Sequence, residues 1–213
     1  MITETLKVEE IDIAIDEYQA KGWRLDMIFP ADSPREAMMS AGSDKMRLLQ
    51  MPARSKCTFT DEECTYSVRA SATEWSEGRA GMMYRDLIPD RIGGKVIASH
   101  IRLLEDGPVA DYVHYHKVEF QMIYCLKGRI QVVYEDQGPP LWLEPGDNVV
   151  QPPEIRHRVL YAEGKAEVLE VTMPAEHETW ADHEMALPNA TVNKERRYSG
   201  QLFVLTKAGK PEV

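Results

Sequence analysis

The sequence lacks a disulfide framework, a long apolar run and an excess of positive charge. Its three cysteines, Cys57, Cys64 and Cys125, are an odd number and too few to hold a fold together. Cys57 and Cys64 are near enough in sequence to pair, but a reduced, cytosolic chain is the simpler interpretation. No stretch reaches the roughly 18 uninterrupted apolar residues that a membrane-spanning helix needs.

The charge and the first residues of the chain exclude further classes of protein. Lys and Arg number 25 against 35 Asp and Glu, which gives a formal net charge of −10. Nucleic-acid binding and polybasic membrane contact both need a basic surface, so neither partner is expected. The N-terminal segment MITETLKVEEID has neither the basic nor the apolar region of a secretory signal. We therefore predict a soluble, cytoplasmic protein.

The first 52 residues are predicted to form a small α+β unit. Ile11, Ile15 and Tyr18 follow the i, i+4, i+7 spacing of an amphipathic helix. The odd-numbered residues of segment 23–29 are all apolar, so they are expected on one face of a strand. The predicted elements are a strand at residues 6–8, a helix at 9–21, a strand at 23–29, and short strands at 38–39 and 47–49.

This order of a strand, a helix and three strands resembles one half of the vicinal-oxygen-chelate, or glyoxalase-like, fold. That fold normally forms its site from two such halves, and this segment has no evident His or Glu at a ligand position. We interpret residues 1–52 as an accessory or interface module, with a generic α+β cap as the alternative. Residues 53–79 are rich in Ser, Thr, Glu and Arg and are predicted to be a linker or arm.

Residues 80–174 carry many short β-like runs and almost no helical periodicity. The runs lie at residues 95–104, 121–126, 129–135, 140–143, 148–151, 157–161 and 166–172. Turn pairs such as Lys127-Gly128 separate them. The pattern indicates a mainly β fold of the sandwich or barrel type. Residues 175–213 are predicted to be a polar tail with one edge strand near 201–206 and with exposed histidines at 177 and 183.

Three of the six histidines stand in a pattern typical of a metal site. His114 and His116 are two residues apart, so on a strand their side chains lie on the same face. Two imidazoles placed in this way can reach one ion at about 2.0–2.2 Å. His157 follows a tight Pro-Gly-Asp turn further along the chain.

These histidines occur in two segments that resemble the two sequence motifs of the cupin superfamily. Residues 107–128, GPVADYVHYHKVEFQMIYCLKG, are similar to the first motif, with its glycine, His-x-His pair and closing glycine. Residues 144–157, EPGDNVVQPPEIRH, are similar to the second, with its Pro-Gly turn and a histidine on the return strand. The resemblance implies a double-stranded β-helix, the RmlC-like jelly roll, over residues 80–174. It also implies one divalent transition metal, Fe, Mn, Ni or Zn, inside the barrel.

The resemblance assigns this metal to His114, His116, Gln121 and His157. Gln121 stands where the motif usually has Glu, and a Gln carbonyl ligates the metal in some cupins. Four neutral ligands leave the full +2 charge on the site, which favours an anionic substrate and the reduced state of the metal. Alternatively Gln121 does not ligate, which leaves a three-histidine site with open positions. A further alternative makes the histidines pocket residues that hold no metal.

Five more residues are candidates near this site. Glu119 is expected to be a second-sphere partner of the ligands, because metal-bound histidines commonly donate their other N–H to a carboxylate. Glu119 and Tyr115 are the nearby candidates for a general base. His100, Arg102 and Cys125 are candidates for substrate contact, although a small core residue is the simpler role for Cys125.

Two classes of function remain open. The first is a metal-dependent enzyme acting on a small, anionic, oxygenated molecule, with dioxygenase chemistry first and isomerase, epimerase or lyase chemistry second. The second is a module that binds a sugar or a small acid without catalysis. Cupins are often dimers, so a homodimer is expected in either case. Fold alone cannot choose between these functions, since this barrel hosts many chemistries.

Overall fold

Strands dominate the chain in this computed structural model, which describes residues 4–31, 34–51 and 74–209. Cys57, Cys64 and most of the predicted linker lie outside the described residues. The mainly β fold class and the jelly roll are as the sequence predicts. Among the described residues, no helix has the length and apolar character that crossing a membrane requires.

The N-terminal unit has the predicted order of one strand, one helix and three strands. Its elements are β1 (Glu4–Val8), α1 (Ile11–Ala20), β2 (Arg24–Phe29), β3 (Glu36–Ala41) and β4 (Asp44–Gln50). The strands form a sheet in the order β1, β4, β3, β2, and only the β1–β4 pair is parallel. The helix packs its buried face, Ile11, Ala14 and Ile15, on apolar residues of β3 and β4. The resemblance to half of a glyoxalase-like fold stays a prediction.

Strand β2 departs from the strict alternation that the sequence predicts. Its pairing with β3 shifts between Leu25, opposite Met39, and Met27, opposite Met38. This β-bulge adds one residue and so reverses which side chains face the helix. Beyond it Ile28, at 5% exposure, joins the core under the helix, whereas Met27 is buried outside that core. The expectation that all odd-numbered residues of 23–29 share a face is therefore wrong.

The rest of the chain forms the barrel and its extensions. Its strands are β5 (Ser76–Glu77), β6 (Met83–Asp86), β7 (Ile97–Arg102), β8 (Gly107–Pro108), β9 (His114–His116), β10 (Phe120–Tyr134), β11 (Leu141–Leu143), β12 (Asn148–Val150), β13 (His157–Met173), β14 (Thr179–Ala181), β15 (Arg197–Tyr198), β16 (Gln201–Leu202) and β17 (Val204–Thr206). Short helical turns lie at Arg79–Gly81 and Arg91–Gly94. The predicted edge strand near 201–206 is present as β16 and β17, and β17 pairs with β12.

Strands β10 and β13 form the long antiparallel pair at the centre of the barrel. Each was predicted as two strands, but each continues through its glycine with an irregular register. Gly128 in β10 has φ of 62°, and a Cβ there would collide with the backbone oxygen of Glu163. Only glycine fits this close approach, which bends the strand without ending it. The apolar core of the barrel lies on the inner faces of these strands and of β7.

Strand β14 connects the N-terminal unit to the barrel. On one side Thr179 lies opposite His116 of β9, and on the other it lies opposite Ile28 of β2. One hydrogen-bonded sheet therefore runs from the N-terminal unit into the barrel of the same chain. An ion pair of 2.9 Å between Arg35 and Glu176 joins the two parts again. The sequence predicted only a polar tail here, and the proposed domain boundaries at residues 52, 79 and 174 stay predictions.

Candidate metal centre

Three histidines converge at one end of the barrel. His114 and His116 come from β9, and His157 is the first residue of β13, directly opposite His114. One ring nitrogen of each lies within 4.8 Å of the others. All three side chains are buried, at 0%, 6% and 7% exposure. The i, i+2 spacing and the return strand thus bring together the three histidines that the sequence singled out.

The hydrogen bonds of these histidines fix which nitrogen faces the centre. Nδ1 of His114 donates to the carbonyl of Tyr112 at 2.8 Å, and Nδ1 of His157 donates to the carbonyl of Ile155 at 2.9 Å. Nδ1 of His116 is 2.7 Å from the Thr179 hydroxyl. Because a carbonyl only accepts, the first two rings carry their proton on Nδ1 and present a lone pair on Nε2.

The buried Nε2 atom of His114 is the clearest sign that these residues fit a metal ion. It has no hydrogen-bond partner among the described residues. An unpaired polar atom costs free energy in a protein interior unless a ligand or a water compensates. Nδ1 of each ring is hydrogen-bonded to the protein, in His114 and His157 as the donor, and three such imidazoles form a donor set that zinc, iron, manganese or nickel accepts.

The environment keeps the three imidazoles neutral, as metal ligands must be. Burial lowers the pKa of His157 to about 4, and the charge of Arg79 adds to the effect. Burial, followed by the charge of Arg79, holds the pKa of His114 well below its usual range. For His116 the same direction comes from burial and then from the other histidines.

This neutrality predicts that the metal-free protein loses stability in mild acid. Between pH 6.5 and about 4 the unfolded chain binds a proton at His157 that the folded chain does not bind, so stability falls as the pH falls. For this one group the loss is on the order of 3 kcal/mol across the window. Urea unfolding of metal-free protein at pH 7.5, 6 and 5 measures it, with His157→Gln as the control that should show a smaller slope. Equal slopes in the two proteins would contradict the prediction.

Gln121 lies in a chain of hydrogen bonds beside the histidines. The Tyr134 hydroxyl donates to Oε1 of Gln151 at 2.6 Å, and Nε2 of Gln151 donates to Oε1 of Gln121 at 3.1 Å. Nε2 of Gln121 then donates to Glu170. A carboxylate only accepts hydrogen bonds, so Glu170 orients the Gln121 amide with its carbonyl toward Gln151. Nε2 of Gln151 is also 3.4 Å from Nε2 of His157. Gln121 lines the same cavity as the histidines, with its carbonyl oxygen hydrogen-bonded to Gln151, and ligation by Gln121 stays a prediction.

Two charged residues of the site were missed by the sequence reasoning. Glu170 is on β13, where it shares the inward face with Val168 and Thr172. A charged residue on the inward face of a predicted strand is the sequence feature that could have identified Glu170 as part of the site. Arg79 lies in the segment predicted as a linker, and its helical turn carries the guanidinium into the barrel wall. Nη1 of Arg79 pairs with Asp111, which is completely buried, and is 3.4 Å from Nδ1 of His114. No local sequence pattern pointed to Arg79.

The two candidate bases lie away from the histidine cluster. Glu119 is exposed and precedes β10, so its side chain is not on the inner face of that strand. Tyr115 alternates with the histidines and points outward, where its ring packs under the guanidinium of Arg156 at 4.3 Å. Neither residue lines the cavity that the histidines face. The structure therefore places neither Glu119 nor Tyr115 as a base, and it does not place Glu119 as a partner of the histidines.

The three candidates for substrate contact are also outside this cavity. His100 and Arg102 lie on the outer face of β7, where both contact Glu167 and Trp75. They were expected in the pocket, but alternation places Ser99 and Ile101 on the inner face instead. Cys125 is fully buried in the barrel core, and burial raises the pKa of its thiol to about 11. Cys125 is therefore a small core residue, the simpler of its two predicted roles, and does not line the cavity.

His177 was expected to be exposed but is buried at 7% exposure. Its ring centroid is 5.3 Å from that of His116. Strand β14 explains the difference, because its pairing with β9 draws the preceding residues of the tail over the histidine cluster. His183 lies beyond β14 and is exposed, with Nε2 at 2.8 Å from the carbonyl of Leu25.

Two adjoining cavities meet at His116. The first has a volume of about 550 Å³, including space open to solvent, and all three histidines line it. Most of its remaining wall is aliphatic. The second has about 400 Å³ on the same measure and extends past His116 toward Ala31 of the N-terminal unit. The shared wall consists of Arg79, Tyr84, His116 and Glu170.

Comparison with known proteins gives one family and a set of similar folds. Residues 101–172 match the family described as Cupin domain. No curated protein sequence matches the chain. Among solved structures, an RmlC-like cupin from Shewanella frigidimarina is 24% identical with a TM-score of 0.40, over 48% of this chain and 85% of that one. KdgF from Halomonas sp. is 20% identical with a TM-score of 0.40, over 47% and 87%. The Fe(II) form of HppE is 17% identical with a TM-score of 0.40, over 47% and 55%.

Proposed function

We propose that this chain, whose residues 101–172 match the Cupin domain family, is a metal-dependent enzyme acting on a small, oxygenated, anionic molecule. The observation that carries the proposal is the convergence of three neutral imidazole nitrogens on a cavity with room for a ligand. A bound Fe, Mn, Ni or Zn ion would act there as a Lewis acid, and an iron ion would add redox chemistry with O₂. Dioxygenase-type chemistry is the first candidate.

The residues of the chain would bind and shield such a substrate. Arg79 places a guanidinium in the cavity wall, next to the histidines, where it is paired with Asp111 and has further N–H groups to donate to an anion. The aliphatic side chains of the wall exclude water and so strengthen the polar contacts. The hydrogen-bonded chain from Tyr134 to Glu170 keeps the amides of Gln121 and Gln151 in fixed orientations. The site therefore needs little rearrangement on binding.

Oxygen consumption tests the first candidate. Protein loaded with Fe(II) is mixed with a panel of β-diketones, catechols and 2-hydroxy acids, and O₂ uptake is recorded beside the His157→Ala variant. We expect uptake with at least one class and none in the variant. Metal-loaded protein that takes up no O₂ across the panel would contradict dioxygenase chemistry. If it also turned over no substrate but bound one tightly, the result would favour a non-catalytic binding protein.

Glu170 favours isomerase or lyase chemistry as the second candidate. Its carboxylate lines both cavities and contacts Gln121, so it is placed to take a proton from a carbon next to a carbonyl. Glu170→Gln is expected to slow exchange of that proton with D₂O by about 10²–10⁴-fold, the usual contribution of a general base. NMR of 2-keto acids incubated with zinc-loaded protein measures the exchange. Retained metal binding is the control, and equal exchange in both proteins would remove Glu170 from the mechanism.

The oligomeric state and the location belong to the same proposal. The cytoplasmic location rests on the composition, the homodimer rests on the frequency of dimers among cupins, and both stay predictions. Light scattering coupled to size-exclusion chromatography measures the mass of the particle, for which we expect twice the 24.3 kDa of the chain.

A further inference from the structure

His116 lies where two cavities of different chemistry meet. We call the first the hydrocarbon chamber, because its wall beyond the histidines is largely aliphatic. The aliphatic residues of that wall include Ile101, Ile123, Ile130, Val132 and Val168. We call the second the polar chamber, because Ser99, Thr172 and His177 line it together with the shared residues Arg79 and Glu170.

Thr172 gives the polar chamber an unsatisfied hydrogen-bonding group. Its side chain is 0% exposed, and Oγ1 has no hydrogen-bond partner among the described residues. The position is rigid, because Thr172 pairs with Gln121 of β10 on one side and with Ile97 of β7 on the other. A buried hydroxyl without a partner is unfavourable, so a group that enters the chamber and pairs with it gains binding free energy.

From these two chambers we infer that the substrate is an amphipathic acid, which deepens the proposed function and rests on it. Its carboxylate lies in the polar chamber against the Thr172 hydroxyl and near the Arg79 guanidinium. Its hydrocarbon group lies among the aliphatic side chains of the barrel. The oxygenated carbon between them lies at the histidines. A 2-hydroxy or 2-keto acid with a short apolar chain has this arrangement.

Calorimetric titration of 2-hydroxy acids tests the hydrocarbon chamber. Glycolate, lactate, 2-hydroxybutyrate and 2-hydroxyisocaproate are titrated into metal-free and zinc-loaded protein, with gluconate as the hydroxylated control. We expect Kd to fall by about fourfold for each added CH₂ until the chamber is full. Gluconate is expected to bind more weakly than 2-hydroxyisocaproate. If gluconate binds more tightly, or if chain length has no effect, the assignment of the chamber is wrong.

Two nearly isosteric substitutions separate the contributions of the chambers. Thr172→Val is expected to raise the Kd of every acid by about tenfold, as for loss of a hydrogen bond to a charged group. Thr172→Ser keeps the hydroxyl, so its Kd values should stay close to those of the wild type. Val168→Thr is expected to reduce the gain in affinity with chain length, with a smaller effect on glycolate, which carries no hydrocarbon group. Melting temperatures of the variants show that each is folded. Unchanged affinities in Thr172→Val would overturn the assignment of the carboxylate to the polar chamber.

The metal-free arm distinguishes this inference from the proposed function. The ratio of the Kd values of Thr172→Val and the wild type should be the same with and without zinc, because Thr172 contacts the carboxylate directly. If the protein takes up no metal but shows this ratio, the proposed function fails and the substrate class stands. If zinc binds and no acid of the panel does, the metal site stands and the amphipathic acid is overturned.

Discussion

Replacing His116 by alanine is expected to weaken zinc binding by more than a hundredfold. The substitution removes one of three converging ligand nitrogens, and second-sphere substitutions alone usually cost about 10–100-fold in affinity. Thr179→Val should fall within that smaller range, because it removes only the hydroxyl at 2.7 Å from Nδ1 of His116. Titration against a competing chelator measures both affinities.

Tyr115→Phe is the matched control for this pair of variants. Tyr115 lies between the two histidines of β9 but points outward under Arg156. The zinc affinity of Tyr115→Phe should therefore equal that of the wild type. An equal loss in all three variants would indicate a general disturbance of β9. Wild-type affinity in His116→Ala would show that this histidine holds no metal.

Replacing Asp111 by asparagine is expected to destabilise the protein by about 3–5 kcal/mol, since it leaves a buried charge without its partner. The Asp111 side chain is 0% exposed, and that of Arg79 is 17% exposed. The carboxylate also accepts hydrogen bonds from the backbone N–H groups of Tyr112, at 3.0 Å, and Val159, at 2.9 Å. Urea unfolding of the metal-free proteins measures the change in the free energy of unfolding.

Two further variants test the cause of that loss. Glu163→Gln removes an ion pair with Arg129 whose side chains are 40% and 43% exposed, so it should cost less than about 1 kcal/mol. Arg79→Met in the Asp111→Asn background removes the unpaired charge and should recover part of the stability. A loss below about 1 kcal/mol for Asp111→Asn alone would show that Asp111 does not balance Arg79 in the folded state.

The parts of the structure that depend on local periodicity could be predicted from the sequence. The i, i+2 spacing places His114 and His116 on one face of β9, and the turn before His157 returns it to them. The order of elements in the N-terminal unit followed from helical and alternating patterns in the same way. Such patterns are local, because each depends only on the repeat of a helix or strand.

The parts that depend on contacts between distant segments could not be predicted. Arg79 enters the site only because its partner Asp111, far along the chain, is buried in the barrel wall. Thr179 and His177 reach the histidines because β14 pairs between β9 and β2. The bulge in β2 and the continuous course of β10 through Gly128 also break local rules, since a pattern cannot show where a strand gains a residue or bends.

The number and type of ligands on a bound metal tests the central claim most directly. X-ray absorption at the zinc edge of zinc-loaded protein resolves nitrogen or oxygen donors at about 2.0–2.1 Å from sulfur donors at about 2.3 Å. The structure predicts one zinc per chain with three imidazole ligands and the remaining donors oxygen. A sulfur ligand, fewer than two imidazoles, or no uptake of zinc at neutral pH would contradict it.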